Sequence, residues 1–408
     1  MKKPPTLAGL ELGPRQFILA AGQLDEGKRL TVQAVESIPA RGFEREGLSD
    51  PVECADAISR VVRQAERNLT ARLSSAVVAF SGSQFKCLNS SASIPIPDPG
   101  SGISRQDVER AVSTCRTLSL DYDRQIVHSF ERGFAVDGQP GVKNPVGLSG
   151  KKLTVDLHLV TAPSLGVQNL TRVVNRAGLE VERILLPGLG AAEAVLTEID
   201  RDLGVTFVRV GDYQTEVILF DNGEPKETFL IPGGWDELAE NLSRSLKLPR
   251  VSAEHLLDQV STVEDLPEEK AGLPMRAGPG AAVRSFPQGQ VVSVVRARAK
   301  ELLGRIQRRV AANPVFLDCA SGVVMVGHLC RLDGFLEMAE GHFNMPVRLG
   351  AVREIGLAAG ITLRNSDTTA VGLLQHACRL RNGGPPGSDR PFFFRPLETV
   401  QRLLQDYF

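Results

Sequence analysis

The apolar positions of the chain fall into short β-branched runs and longer stretches with helical spacing, and the order of the two kinds repeats. Runs at 7–12, 16–21 and 30–38 predict three strands, broken at Gly13-Pro14 and at Asp25-Glu26-Gly27. Ala57, Ile58, Val61, Val62, Ala65 and Leu69 then recur at helical spacing and predict a helix over 52–69, followed by a strand at 75–80. The same series returns after residue 204. Strands are predicted at 205–210, 215–220 and 226–231, joined at Gly211-Asp212 and at Asp221-Asn222-Gly223, with a helix at 235–246. Asn-Gly between two such runs is a strong hairpin signal, because the tightest turns need positive φ at both central residues. Two copies of a three-strand meander with a following helix predict a duplicated, two-lobe α/β fold. A ligand would lie between the lobes, touched by the first hairpin turn of each.

Between the copies the pattern changes. An extended stretch at 84–96 is followed by a predicted helix at 104–117, with Ser104 as N-cap and Asp107 three residues on. Strands are predicted at 125–136 and 152–160, a helix at 164–177 and a strand at 181–186. This reads as a small α+β module inserted in the first lobe. In the second lobe a helix is predicted at 253–260 and an irregular Gly/Pro-rich loop at 270–290. A basic helix over 291–310 carries Arg296, Arg298, Lys300, Arg305, Arg308 and Arg309. Such a face is either solvated or a docking surface for an acidic partner. A buried strand at 322–328 and a helix at 332–342 complete the lobe.

Composition narrows the function classes. With 408 residues the chain is long enough for several cores. A formal net charge of −1 and 5% aromatics give no general attraction to nucleic acid. The six cysteines show no CxxC spacing and the histidines no HExxH pattern, so a metal site is not expected and the thiols read as small buried hydrophobes of a reducing compartment. No run approaches the ~20 apolar residues of a spanning helix. A cytoplasmic protein is expected.

Five stretches carry a family resemblance: Asn144-Pro145-Val146-Gly147-Leu148, Ala194-Val195-Leu196-Thr197-Glu198, Gly233-Gly234, Pro346-Val347-Arg348-Leu349-Gly350, and Thr369-Ala370-Val371-Gly372-Leu373-Leu374. In this order the chain resembles the FtsA family of bacterial cell-division proteins, within the actin/Hsp70 superfamily, from about residue 10 to 380. The resemblance implies an actin-like, duplicated ribonuclease-H-like two-lobe fold with an inserted α+β subdomain of the 1C/SHS2 type. The implied parts are a first lobe (1–83 and 164–192), the insert (84–163), a second lobe (193–245 and 316–380), its smaller subdomain (246–315), a linker (381–391) and a terminal helix (392–408).

The family's nucleotide site would fall on Glu11, Gly13, Arg15, Arg209, Gly211, Gln214, Thr215, Gly233, Gly234, Glu254, Gly327 and His328. Several of these depart from the family pattern. Pro14 removes a backbone N–H from the first phosphate loop. Arg209 stands where the family has an aspartate that holds a magnesium-bound water, and an arginine there opposes the metal. His328 replaces a glycine that faces the base. Magnesium-dependent hydrolysis is therefore expected to be impaired. ATP stays open as a ligand, with Arg209 and Arg15 meeting phosphate directly. The plainer alternative is an ion pair of Arg209 with Asp212 or Glu11 closing an empty cleft.

After residue 380 a Gly/Pro-rich linker leads to an amphipathic stripe: Phe392, Phe393, Phe394, Leu397, Val400, Leu403, Leu404, Tyr407 and Phe408. It suits a membrane interface, and the resemblance implies a membrane-targeting helix there. The expected function is an adaptor that self-associates at the inner face of the membrane and tethers FtsZ, whose acidic C-terminal tail would meet Arg296, Arg298, Arg305 and Arg309. Other division proteins are expected partners and nucleic acid is not. Two alternatives stay open: an active actin-like ATPase, and a pilus-assembly component like PilM.

Overall fold

The computed structural model describes residues 6–382 except 26, 28, 70, 83, 261, 264–271, 277–282 and 354. The first lobe opens with the meander β1 (Thr6–Leu12), β2 (Gln16–Leu24) and β3 (Leu30–Pro39). A short pair, β4 (Phe43–Glu44) and β5 (Gly47–Leu48), leads to α1 (Pro51–Glu66) and β6 (Ser75–Phe80). Asp50 caps α1 by accepting from the Val52 and Glu53 N–H groups. The helix buries Cys54, Ala57, Ile58, Val61, Val62 and Ala65 against the sheet.

The insert follows as β7 (Lys86–Pro95), α2 (Arg105–Leu118), β8 (Arg124–Val136), β9 (Gln139–Val142) and β10 (Lys152–Pro163). Ser104 and Asp107 form the expected capping box. The four strands make one antiparallel sheet in the order β7-β10-β8-β9, with its own core around Leu153, Val155, Leu157, Ile94 and Ile103. The chain returns through α3 (Ser164–Arg176), β11 (Glu180–Leu185), α4 (Pro187–Val195) and the short α5 (Glu198–Asp202).

The second lobe repeats the first: β12 (Val205–Val210), β13 (Gln214–Asp221), β14 (Glu224–Pro232) and α6 (Trp235–Leu246). At the β13–β14 turn Asn222 and Gly223 take φ of 50° and 82°, as the Asn-Gly signal requires. Then come α7 (Arg250–Gln259), the strands β15 (Gly272–Arg276) and β16 (Val283–Pro287), α8 (Gln288–Val310), α9 (Pro314–Leu317) and β17 (Val323–Gly327). The described residues close with α10 (Phe335–Phe343), β18 (Val347–Leu349), β19 (Gly356–Leu357) and α11 (Thr368–Arg381).

The duplication is explicit in the sheets. The order β3-β2-β1-β6-β11 of the first lobe matches β14-β13-β12-β17-β18 of the second. In each, the first three strands pair antiparallel and the last two join in parallel. Two buried helices, α4 and α11, lie between the sheets. A Cβ on Gly372 would collide with the Gly190 carbonyl oxygen, and one on Gly9 with the Ala370 carbonyl oxygen. Only glycine lets these backbones approach so closely.

Several predicted boundaries differ: α1 ends at Glu66 instead of residue 69, and α7 starts at Arg250 instead of residue 253. The stretch expected to be an irregular loop at 270–290 contains the antiparallel pair β15–β16 and the first turn of α8. Pro274 and Pro287 hid the strands, since proline is tolerated on edge strands yet argues against a strand in a sequence. The helix expected at 332–342 starts three residues later, after a 3-10 turn at His328–Arg331.

The insert also touches the second lobe. His158 is buried, with Nδ1 2.7 Å from the Asn89 side-chain oxygen and Nε2 2.9 Å from the Thr228 hydroxyl on β14. Lys226 donates to the Glu131 carbonyl at 3.1 Å, and Lys143 donates to the Asn222 side chain at 2.7 Å. The insert therefore bridges the lobes rather than hanging from the first.

Candidate functional site

A cleft of about 400 Å³ opens between the lobes, a size within the range of small-ligand pockets. The β1–β2 turn lines it with Glu11, Gly13 and Arg15, the β12–β13 turn with Arg209, Gly211 and Asp212, and the end of β17 with Gly327 and His328. The two turns are built alike. Gly13 N–H donates to the Gln16 carbonyl at 3.1 Å, and Gly211 N–H donates to the Gln214 carbonyl at 3.1 Å. These glycine donors are thus spent inside their own hairpins. Pro14 has none to offer.

The α6 N-terminus, where an anion would ordinarily be favoured, is also engaged. Trp235 N–H donates to the Gly211 carbonyl at 3.1 Å and Asp236 N–H to the Asp212 carbonyl at 2.9 Å. Gly234 makes this docking feasible, since a Cβ there would strike the Gly211 carbonyl oxygen. Gly233, at φ 114°, gives its carbonyl to the Thr215 hydroxyl at 2.9 Å.

Arg209 sits at the centre. Its Nη2 donates to Glu11 on β1, its Nη1 to Glu216 on β13 at 3.2 Å, and its Nε to the Thr369 hydroxyl on α11 at 3.2 Å. Glu216 also accepts the Gly188 N–H at the start of α4, at 2.5 Å. Glu11 and Glu216 are only 5% and 2% exposed. Burial pushes both carboxyls above the ordinary range, and Arg209 offsets this in part. Burial works to lower the Arg209 pKa, but Glu11, Glu216 and Asp212 outweigh it and the guanidinium rises. Around this centre three carboxyls, Glu11, Glu216 and Asp212, face two guanidiniums, Arg209 and Arg15. Burial is the largest cause of the upward direction of all three carboxyls, and the guanidiniums oppose it.

At the outer end of the cleft, the Trp235 and His328 rings stand 5.2 Å apart, and the Arg15 guanidinium lies 5.9 Å over the Trp235 ring. Burial lowers the His328 pKa despite Asp212 nearby. Arg331, Arg364, Asn365 and Ser366 complete the rim.

The cleft thus gathers seven of the sequence-expected positions: Glu11, Gly13, Arg15, Arg209, Gly211, Gly327 and His328. Gln214 lines a separate cavity of about 70 Å³ with Pro14, Arg45 and Tyr213. Thr215 is fully buried and turned to Gly233, and Glu254 is paired with Arg250 at 3.0 Å. Gly233 and Gly234 support the second turn without lining the cleft. Of the two partners expected for Arg209, the structure selects Glu11; Asp212 acts only at a distance. Glu216, Thr369 and Gly188 went unread. Glu216 carried a signal: residues equidistant from a tight turn face each other, and Arg209 and Glu216 are direct cross-strand partners.

At the centre of the cleft stands a guanidinium paired with two carboxylates, and the Gly13, Gly211, Trp235 and Asp236 N–H groups donate to backbone carbonyls. Among the described residues no group of three or more His, Cys, Asp or Glu is placed to hold a metal ion. All six cysteines are free, four of them buried.

On α8 the basic side chains divide. Arg305 donates to the Pro232 carbonyl at 2.9 Å and pairs with Glu237 at 2.6 Å, and the Arg309 guanidinium lies 5.3 Å over the Phe229 ring. Arg298 pairs with Glu301 at 2.5 Å, Arg296 is half-buried, and Lys300 and Arg308 are exposed. The aromatic stripe at Phe392–Phe394 and Leu397–Phe408 lies outside the described residues. Among the described residues no helix is long and apolar enough to cross a membrane.

Fold and cleft together define an actin-like protein: two copies of one α/β lobe about a central cleft, with an α+β insert. Residues 82–161 match the family described as the SHS2 domain inserted in FtsA. Over 383 residues the chain is 28% identical to the cell division protein FtsA of Neisseria meningitidis, covering 92% of this chain and 91% of that one. The solved PilM–PilN type IV pilus biogenesis complex contains a chain of the same fold, with TM-score 0.62, 14% identity, and coverage of 91% of this chain and 98% of that one. The ADP-bound MreB5 of Spiroplasma citri is similar at TM-score 0.53 and 10% identity, covering 93% and 99%. The chain resembles the FtsA cell-division proteins along nine-tenths of its length.

Proposed function

We propose that this protein is an FtsA-like cell-division adaptor that does not work as a magnesium-dependent ATPase. The division role rests on the resemblance to FtsA and on the matching insert. One observation carries the non-catalytic part: Arg209, where the family keeps an acid for the metal, is buried and paired with Glu11 and Glu216. The adaptor links FtsZ filaments to the inner face of the membrane, through the basic face of α8 and the aromatic C-terminal stripe. It self-associates there and meets other division proteins. The 70 or so residues around α7 and α8 form the partner-facing subdomain in this reading, and the insert and lobes keep the bounds given above.

A second reading, ATP held without magnesium, is favoured by the cleft volume and by Arg15, Arg331 and Arg364 on its wall. Titration with labelled ATP, with and without Mg²⁺, separates the two. No turnover and no magnesium dependence are expected. Turnover that requires magnesium would overturn the proposal. For the adaptor role, the full chain should bring FtsZ polymers onto liposomes in co-sedimentation, and removal of residues 391–408 should abolish this. Unchanged sedimentation of the truncated chain would sink the membrane part.

A further inference from the structure

The two lobes meet at one guanidinium. Arg209 belongs to the first strand of the second lobe, and Glu11 to the first strand of the first lobe. The remaining donors of Arg209 reach Glu216 on β13 and Thr369 on α11, and Glu216 takes the Gly188 N–H of α4. Thus β1, β13 and α11 meet on the Arg209 side chain of β12, and α4 joins them through Glu216. The helices α4 and α11 cross between the sheets at Gly190 and Gly372. Any relative rotation of the lobes must stretch the Arg209–Glu11 pair or pull Thr369 from its donor. Because one guanidinium holds all these partners, parting the lobes breaks a charge-assisted bond that a single surface pair would not match in partners or burial.

We propose that Arg209 is a built-in clamp across the lobes. It holds them in one closed arrangement with no ligand in the cleft, so closure of this protein is independent of nucleotide. The inference rests on the reading that the cleft is not a magnesium-dependent ATPase, and it adds what the cleft does instead. The insert, bridged to β14 through His158, Lys226 and Lys143, braces the same arrangement from the other side.

The test measures lobe separation directly. Spin labels on unnatural amino acids at exposed Asp56, in the first lobe, and Ser293, in the second, report a distance distribution by pulsed electron resonance on the full chain. The wild type is expected to give one narrow distribution that Mg-ATP leaves unchanged. Arg209→Ala is expected to broaden it towards longer distances. If that variant fails to fold because it leaves two carboxylates unpaired, the charge-free combination Arg209→Met, Glu11→Gln, Glu216→Gln serves instead, with the same broadening expected. A narrow, wild-type distribution in a folded variant would overturn the clamp, and so would a wild-type distribution that shifts on adding Mg-ATP. Neither result touches turnover or FtsZ co-sedimentation, which report on the proposed function separately.

Discussion

Glu11 and Arg209 occupy equivalent places in the two copies of the hairpin, each two residues before the turn glycine, and they pair across the cleft. The duplicated fold brings its two first strands face to face at this point. An acid in one copy and a base in the other convert the meeting place into an ion pair. The pair is completed by Glu216, which the hairpin register sets opposite Arg209.

Removing the arginine alone should therefore be costly. Arg209→Ala leaves Glu11 and Glu216 buried without their cation, and the expected loss of stability is about 3–5 kcal/mol. The charge-free combination at 11, 209 and 216 should lose clearly less, because no unpaired charge remains. Denaturant unfolding of both variants checks the order. A smaller loss for Arg209→Ala than for the combination would contradict the geometry.

The helix crossing gives a second prediction. A Cβ on Gly372 has no room against the Gly190 carbonyl oxygen, whereas one on Gly341, in α10, meets nothing within 4 Å. Gly372→Ala should destabilise by about 1–3 kcal/mol by forcing α11 off α4. Gly341→Ala should instead stabilise by roughly 0.5–1 kcal/mol, since alanine is the better helix residue. Thermal unfolding of the pair of variants reads both signs.

Much of this fold was legible in the chain because its elements are short and strongly patterned. Strand 205–210 and helix 235–246 matched to the residue, and the Ser104–Asp107 box was readable from two letters. The duplication followed from the repeat of strand, turn and helix. The strands β15 and β16 were hidden, since their prolines and glycines signal loop wherever tertiary pairing is unseen. The site was legible as a place more than as an arrangement. The sequence marks Arg209 as unusual but not which oxygens it meets, because Thr369 and Gly188 come from helices far along the chain. Gln214 and Thr215 were misjudged for a related reason: in a strand covered on both faces, a polar side chain does not reveal which face it takes.

Stability should also fall in mild acid through His158. Burial, with Arg132 and His128 adding to it, lowers its pKa from 6.5 to about 3. Above pH 6.5 the ring is neutral in folded and unfolded states alike, and its contribution is complete. Below 6.5 the unfolded chain binds a proton that the folded chain refuses. Stability then drops by roughly 1.4 kcal/mol per pH unit until about pH 3. Between pH 7 and pH 5 the expected loss from this one group is about 2 kcal/mol. His158→Gln should cut the pH dependence by that amount, and unfolding curves at the two pH values measure it. The same slope in variant and wild type would mean that His158 is solvated.

The division of the α8 arginines makes the last prediction. Arg305 is held against Pro232 and Glu237, so it is poorly placed to meet a partner, while Arg309 is exposed and its guanidinium rests over the Phe229 ring. Lys300 and Arg308 are exposed, and the pair of Arg298 with Glu301 is about half-exposed and weak. An acidic peptide docking on this helix should be read by Arg298, Lys300 and Arg308. Reversing these three to glutamate should lower affinity for an acidic FtsZ tail peptide by tenfold or more, on the order of 1.4 kcal/mol or above, and flatten its salt dependence, with folding unaffected. Arg305→Glu should act differently. It sets like charges against Glu237 and should lower the melting temperature, weakening binding only as far as the fold is lost. Fluorescence anisotropy at two salt concentrations, read beside thermal melts, separates the two effects. If only Arg305→Glu weakens binding at full stability, the tail docks on the β14 side of α8, between Pro232 and Glu237.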